Sequence, residues 1–304
     1  MALDPRQLQV LLTVVREGSF SAAAGVLNMS QPAVSMAIAQ LERSVGAQLV
    51  ERGRQGAKAT QAGRILTRRA EMIETVIGLA RREVALGMLG MEGPLVVGGT
   101  PGALISLLPP AAARLERAGT RFALQVVEAA DADLFEMLRT YSIDLAICTV
   151  SIGTLPPDIV ERALLVDRFI LAMRAGHPFP SDTATLGEVA GLEWALPGVG
   201  GAFQRQIEAM FLNAGVPVPQ QAIRSDSIAL TKEIVRQSDH VTILPHRVIA
   251  TELANGEFRQ VMLRTGSPTR TVGVRMLRER AQMPLADNLI RAMADAAELI
   301  HQQN

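Results

Sequence analysis

The sequence predicts an α+β chain of several domains: a small helical head with a β-wing, one long helix, and a body of alternating strands and helices. Three observations carry that reading. Residues 20–46 (FSAAAGVLNMSQPAVSMAIAQLERSVG) hold two short helical patterns that meet at a tight turn. Residues 62–84 keep one apolar stripe at steps of three and four, and after Gly93-Pro94 strand patterns alternate with helical ones.

In the head, Leu8, Leu11, Leu12 and Val15 recur at helical spacing in a first helix that Pro5 starts and Gly18 stops. Ser21 is read as the cap of a second helix, whose Ala22, Ala23 and Ala24 are small enough for helices to cross closely. After the Asn28-Met29 turn, Ser30 is a good N-cap and Pro32 falls in a first turn, where a missing N–H costs nothing. A third helix therefore begins near Gln31. Its Val34, Ile38, Leu41 and Val45 form one buried stripe, which leaves Gln31, Ser35, Met36, Ala39 and Arg43 pointing outward. A helix that enters a major groove end-on needs such short amide and hydroxyl groups for base edges and phosphates. The alternative is a solvated face of a small helical domain.

VERGRQGAKATQAG (50–63) is punctuated by glycine and carries Arg52, Arg54 and Lys58 against one acid, Glu51, before Thr60 caps a new helix. This pattern is a basic β-wing. Residues 1–70 balance to +5 in charge, although the whole chain has 30 basic and 30 acidic residues, so the remainder carries −5. A basic head supplies the phosphate-neutralising, salt-sensitive part of DNA affinity, and sequence reading falls to the third helix.

With 304 residues, 48% of them hydrophobic, the chain is long enough for two or three domains with cores of their own. No apolar run approaches the ~20 residues that span a bilayer, and MALDPRQLQ lacks a secretory pattern. One cysteine, Cys148, excludes an internal disulfide; with no signal peptide, a cytoplasmic protein is expected. His177, His240, His246 and His301 are scattered without metal-ligand spacing, so neither a metal nor a cofactor is expected.

The stripe of the long helix (Ile65, Leu66, Ile73, Val76, Ile77, Ala80, Val84) runs for about six turns at 3.6 residues per turn, with Arg68, Arg69, Glu71, Glu74, Arg81 and Arg82 off it. The helix is expected to end between Gly87 and Gly93. A stripe this long lacks a partner within its own chain, so the expected cover is the same helix of a second copy; the alternative is the chain's own C-terminal domain. A dimer would match an inverted-repeat operator on double-stranded DNA.

In the body, strands are expected at 95–99, 122–129, 144–150, 159–166, 168–174, 240–245, 259–264 and 271–277, and helices at 103–118, 132–140, 203–214 and 285–301. This is a parallel α/β layout. Three strand-to-helix junctions stand out: Thr100-Pro101-Gly102, Gly198 to Ala202, and Ser225-Asp226-Ser227. Each offers a cap or bare backbone at a helix start, where N–H groups and the dipole favour an oxygen-rich or anionic ligand. Ligands of open α/β sheets bind at the carboxyl ends of strands, so one cleft for a small molecule is expected. Ordinary caps and turns are the alternative.

Taken together, the chain resembles a LysR-type transcriptional regulator over nearly its full length. The resemblance rests on FSAAAGVLNMSQPAVSMAIAQLERSVGAQLVERG, the following ATQAG, and GPLVVGGTPGALISLLP, DLAI, AGHPF and TILP. It implies a winged helix-turn-helix (1–60), a linker helix that pairs in dimers (61–92), and a two-lobed effector domain resembling type 2 periplasmic binding proteins. Chain crossovers near 163–167 and 222–226 would divide that domain into lobe I (93–164 and 226–304) and lobe II (165–225). A homodimer or homotetramer is implied, with RNA polymerase a further candidate partner and no membrane role. The C-terminal part looks most like the galactose-binding-protein regulator group.

By position, Gln31, Pro32 and Ser35 match the family's recognition-helix contacts and Arg52 its wing arginine, while Met36 stands where many relatives carry arginine. With Ser30, Arg43, Arg54 and Lys58 these are the candidate DNA-binding residues. The family's effector cleft maps onto Thr100, Pro101 and Gly102, onto Cys148 and Thr149 at a strand end, onto Gly201, Ala202 and Phe203, and onto the stretch from Ser225 to Ser227. DLAIC is commonly DLAIG, so Cys148 is expected to narrow the cleft. The groups offered suit an aromatic carboxylate, a sugar or a sugar acid.

An enzyme has little support. GRQGAK lacks the Gly-Lys-Ser/Thr ending of a phosphate loop, GGTPG lacks Rossmann spacing, and Cys148 has no positioned base. A solute-binding protein shares the C-terminal pattern but not the DNA-reading head. The expected mechanism is that a metabolite shifts the lobes, the lobes shift the dimer arms, and DNA bending or spacing changes.

Overall fold

In the computed structural model, which describes residues 3–53, 56–198, 202–264, 266, 268–280 and 283–302, the chain divides into two compact units, the first running to Gly90 and taking in Arg139–Ser142, the second made of the rest. The first unit is built by its helix caps. Asp4 accepts from the N–H of Arg6 and opens α1 (Pro5–Glu17), and Gly18, at φ 62°, closes it in the left-handed conformation that glycine tolerates. The second helix, α2 (Phe20–Leu27), is capped by Ser19 and not by Ser21: Ser19 has the extended backbone a cap requires, and its hydroxyl accepts from the N–H of Ala22. Ser21 lies exposed inside the first turn. After Asn28, Ser30 caps α3 (Gln31–Val45), as its sequence predicts.

The wing is the antiparallel pair β1 (Val50–Gly53) and β2 (Gly56–Ala59). The Glu42 carboxylate mounts it on the end of α3 by accepting from the N–H groups of Leu49 and Val50 at 2.8 and 3.2 Å. Thr60 then accepts from Gly63 N–H and starts α4 (Gln61–Met88). Leu8, Leu11, Leu12, Val34, Ile38, Leu41, Leu49 and Ala70 fill the core of this unit. Of the stripe on α4, Ile65, Ile73, Val76, Ile77 and Val84 are exposed, Ile65 to 63% and Val84 to 66%.

The second unit begins with β3 (Glu92–Gly99), α5 (Pro101–Arg117), β4 (Phe122–Glu128), α6 (Asp131–Arg139) and β5 (Leu145–Val150). The strand β6 (Ile159–Arg174) follows, 16 residues without a break. Next come β7 (Thr183–Ala184), α7 (Leu186–Val189), β8 (Trp194–Leu196), α8 (Ala202–Asn213), β9 (Ala222–Arg224) and α9 (Ile228–Gln237). The chain ends with β10 (Thr242–Pro245), α10 (Ala250–Ala254), β11 (Phe258–Leu263), β12 (Thr269–Leu277) and α11 (Pro284–Gln302).

The strands β4, β3 and β5 pair in parallel, whereas β12 runs antiparallel to β5 and β6, so the sheet is mixed and not parallel throughout. The first half of β6 pairs with β12, and its second half pairs with β10 and β11. One strand thus serves two lobes. The lobe I core joins Leu95, Leu104, Leu107, Ile147, Val272 and Met293 between the sheet and the helices α5 and α11. Lobe II has cores around Phe169, Trp194, Phe211 and Ile243, and around Ile170, Val235, Val248 and Phe258.

This pairing corrects two expectations. Strands expected at 159–166 and 168–174 are one, because the polar break at Asp167 is a buried, paired residue within β6. The second crossover lies between β11 and β12, at 264–269, and not near 222–226. Residues 226–263 therefore belong with lobe II, because β10 and β11 complete the sheet on β6 that α9 covers.

A Cβ added at Gly63 would meet the Leu49 carbonyl oxygen at 2.0 Å, and backbone cannot yield as a side chain does. Gly63→Ala is expected to destabilise the N-terminal unit by about 1–3 kcal/mol, the usual cost of overpacking, read as a lower denaturant midpoint.

Candidate functional site

Two surfaces gather the residues singled out by the sequence. On the head, Val34, Ile38 and Leu41 are buried, while Gln31, Pro32 and Met36 are exposed at the start of α3, Met36 to 68%. Gln31 Nε2 donates to Ser35 Oγ at 3.0 Å, so the amide and the hydroxyl one turn apart form a single unit that retains further bonding capacity. The Ser30 hydroxyl accepts from Ala33 N–H as the cap. Arg43 is exposed in the last turn, about 18 Å along the axis from Gln31 at 1.5 Å per residue, out of reach of the same base pairs. On the wing, Lys58 is exposed opposite Glu51, and Arg52 lies in β1 opposite Ala57. Arg54 lies outside the described residues.

The second surface is a cavity of about 410 Å³ between the lobes. Thr100, Pro101 and Gly102 line it at the start of α5, Thr149 at the end of β5, Phe203 in α8, and Ser225 after β9. These residues come from all three junctions, which do converge. The Thr100 hydroxyl does not cap α5, so it is left to the cavity. Gly201 lies outside the described residues, and Ala202 opens α8 by its backbone.

Two expected residues do not line the cavity. Cys148 is fully buried, because successive side chains of β5 face opposite sides of the sheet and Thr149 takes the cavity side. It therefore does not narrow the cleft. Burial pushes its thiol up to about 12, against the pull of Arg275. The Ser227 hydroxyl instead caps α9 by accepting from Leu230 N–H at 3.2 Å.

Asp226, within the third junction, also lines the cavity, and sequence reasoning missed Glu128, Asp131, Thr242 and Arg270, which line it too. Asp226 accepts from Gly198 N–H at 3.1 Å, and a Cβ at Gly198 would lie 2.4 Å from that carboxylate, so a larger residue there would displace the Asp226 side chain. The Arg270 guanidinium is buried in the wall. Its Nη2 donates to Asp167 at 3.1 Å, to the Gly102 carbonyl at 3.0 Å and to Ser106 Oγ at 3.1 Å. Burial lowers the Arg270 pKa, and the Asp167 carboxylate opposes that fall. The available signal was Asp167 itself, a lone acid inside an apolar strand pattern that needed a buried cation.

A helix-turn-helix with an exposed polar helix start, joined to a two-lobed domain enclosing a polar cavity, is the arrangement matched by two family models. The bacterial regulatory helix-turn-helix protein, lysR family, matches residues 5–64, and the LysR substrate binding domain matches residues 90–298. The chain belongs to the LysR family. This LysR-family protein is a DNA-binding transcriptional regulator with an effector-binding domain, and not an enzyme. It is 29% identical over 251 residues to the uncharacterized HTH-type transcriptional regulator YdcI of Escherichia coli (strain K12), spanning 82% of this chain and 81% of that protein. It is 30% identical over 237 residues to the HTH-type transcriptional regulator GbpR of Rhizobium radiobacter, spanning 75% of this chain and 76% of that one. Its fold matches full-length CbnR complexed with its target DNA at a TM-score of 0.72 and 20% identity, covering 97% of this chain and 100% of that one. Among the described residues, no helix of the LysR-family chain is long and apolar enough to cross a membrane, and no cluster of metal-ligating side chains occurs.

Two outcomes follow for this regulator. Asp167→Ala strands a buried guanidinium and should cost about 3–5 kcal/mol, measured as a lower unfolding midpoint of the full chain. The Cys148 thiol should resist alkylation by iodoacetamide at pH 8 in the native protein and react once the chain is unfolded in guanidinium; rapid native labelling would contradict its burial.

Proposed function

We propose that the protein binds an inverted-repeat operator as a homodimer or homotetramer in the cytoplasm, with Gln31 and Ser35 reading base edges and the wing holding phosphates. The observation that carries this is the start of α3, where exposed Gln31 is bonded to half-buried Ser35 while the opposite face of the same helix is buried. Pro32 and Met36 flank the pair. Ser30 positions it by capping, with only its backbone left for phosphate. Arg52, Arg54 and Lys58 supply positive charge from the wing, and Arg43 reaches a phosphate farther along the helix. The exposed isoleucines and valines of α4 support a second copy as their cover, and the structurally similar CbnR, complexed with its target DNA, supports the DNA role.

The effector is held between the lobes by Thr100, Pro101, Gly102, Thr149, Phe203 and Ser225. A metabolite that binds one spacing of the lobes more tightly shifts the population toward it, and this changes how the paired heads meet the operator. RNA polymerase is the natural recipient of that change at a promoter.

Gln31→Ala or Ser35→Ala should reduce discrimination between operator and random DNA by ~1–3 kcal/mol, as expected for a lost base contact. Arg52→Ala should weaken binding to all sequences and reduce the slope of log K against log salt by about 0.9, the value for one phosphate. Both are read by fluorescence anisotropy over a salt series. A footprint of the flanking genomic DNA that shows no twofold-related protected site overturns the operator assignment.

A further inference from the structure

The cavity has two chemically unlike ends. At the buried end, Thr242 is fully buried and its Oγ1 has no hydrogen-bond partner among the described residues. The Arg270 side chain is 6% exposed, and its Nε has no partner there either. Both residues line the cavity. An unpaired buried polar atom leaves its desolvation uncompensated, so two in the cavity wall point to groups that a ligand satisfies. The guanidinium Nε–H only donates, so its partner is an acceptor. The first turn of α5, uncapped by the Thr100 side chain, adds the positive end of a 17-residue helix to the same wall.

At the exposed rim the sign reverses. Glu128, at the end of β4 in lobe I, and Asp226, after β9 in lobe II, both line the cavity and are exposed. Asp131 is matched by Arg275 at 3.2 Å and Arg270 by Asp167 at 3.1 Å. Among the described residues neither Glu128 nor Asp226 has a basic partner, and Asp226 holds only the N–H of Gly198. Two uncompensated carboxylates on opposite sides of one cleft favour a cation between them.

Resting on the reading of this cleft as the effector site, we propose that the effector is a small zwitterion of the amino-acid type. Its carboxylate sits against Arg270 and Thr242, and its ammonium group lies between Glu128 and Asp226. An aromatic carboxylate or a sugar acid satisfies the buried end but brings no cation to the acidic rim. A neutral sugar brings hydroxyls there and leaves the charge of both acids unbalanced. A volume of about 410 Å³ suits a ligand of this size.

The test is a thermal-shift titration of the full-length protein with the common L-amino acids, and with the desamino and decarboxy counterparts of each one that binds. Benzoate, D-galactose and D-galacturonate complete the set. At least one amino acid should raise Tm, and removing either its amine or its carboxylate should weaken the apparent Kd about tenfold or more, the loss of one charge-assisted hydrogen bond. Asp226→Asn combined with Glu128→Gln should weaken the amino acid by the same factor and leave it no better than its desamino counterpart. Thr242→Val, which keeps the shape of the side chain, should weaken the desamino counterpart as well.

The zwitterion assignment is overturned if no amino acid shifts Tm, or if the desamino counterpart, benzoate or a sugar binds as tightly. The effector cleft itself survives those outcomes wherever Thr242→Val weakens the compound that does bind. A compound whose Kd is unmoved by Thr242→Val and by the two acid substitutions binds elsewhere, and then both readings fall.

Discussion

Arg270 stands where β12 returns from lobe II to lobe I, and its guanidinium bonds at once to Asp167 on the strand shared by both lobes and to Gly102 and Ser106 at the start of α5. Taking a guanidinium and a carboxylate out of water costs several kcal/mol per ion, and only close pairing with further hydrogen bonds offsets it. That requirement ties three elements together. β6 cannot slide against β12 without exposing one charge, and α5 cannot pivot without releasing two acceptors. A pair of apolar residues of the same volume could hold the lobes as firmly, but it would not fix the register of two strands and a helix start at one point.

In the head the equivalent constraint is a set of helix ends. Glu42 reaches from the last turn of α3 to the N–H groups of Leu49 and Val50, so the wing is hung from the helix whose other end carries Gln31 and Ser35. Thr60 then joins the wing to α4 through Gly63 N–H and the Gln48 carbonyl. The distance between the helix start and the wing is thus set by α3 itself, and both are presented as one rigid surface. Arg16 adds salt bridges to Glu71 and Glu74, but about half of each side chain is exposed, so these pairs contribute little.

What was legible in the sequence was local. Pro5, Gly18, Ser30, Pro32 and Thr60 mark helix ends by the conformations and missing donors of their own backbones, and the structure places helix ends there. Ser19 and Ser21 are equivalent in type, and only the left-handed turn at Gly18 makes Ser19 the cap. What was not legible depends on pairing between distant segments. Asp167 reads as a strand break until Arg270, 103 residues later, is known to face it. The second crossover could not be placed because β10 and β11 have the same composition whichever half of β6 they join. For the site, the junctions at Thr100, before Phe203 and at Ser225–Ser227 were visible as caps and bare turns. Glu128, Thr242 and Arg270 were not, since a polar residue on a strand looks like solvated surface until the chain folds it over a cavity.

Because β6 and the link from β11 to β12 are the connections between the lobes, a small rotation there changes the width of the cavity more than the packing inside either core. On the proposed reading the ligand touches both sides. Arg270 and Glu128 are set by the lobe I sheet, while Thr242 and Asp226 lie in lobe II. The free energy such a ligand gains therefore depends on the separation of the lobes. A ligand shifts an equilibrium only by its difference in affinity for the two states. A molecule satisfied by lobe I alone would bind and leave that equilibrium unmoved, whereas one that needs Asp226 and Thr242 as well favours the closed spacing. The acidic rim and the orphaned polar atoms of the buried end thus make specificity and switching parts of one requirement, because the contacts that discriminate between ligands are those that change when the lobes move.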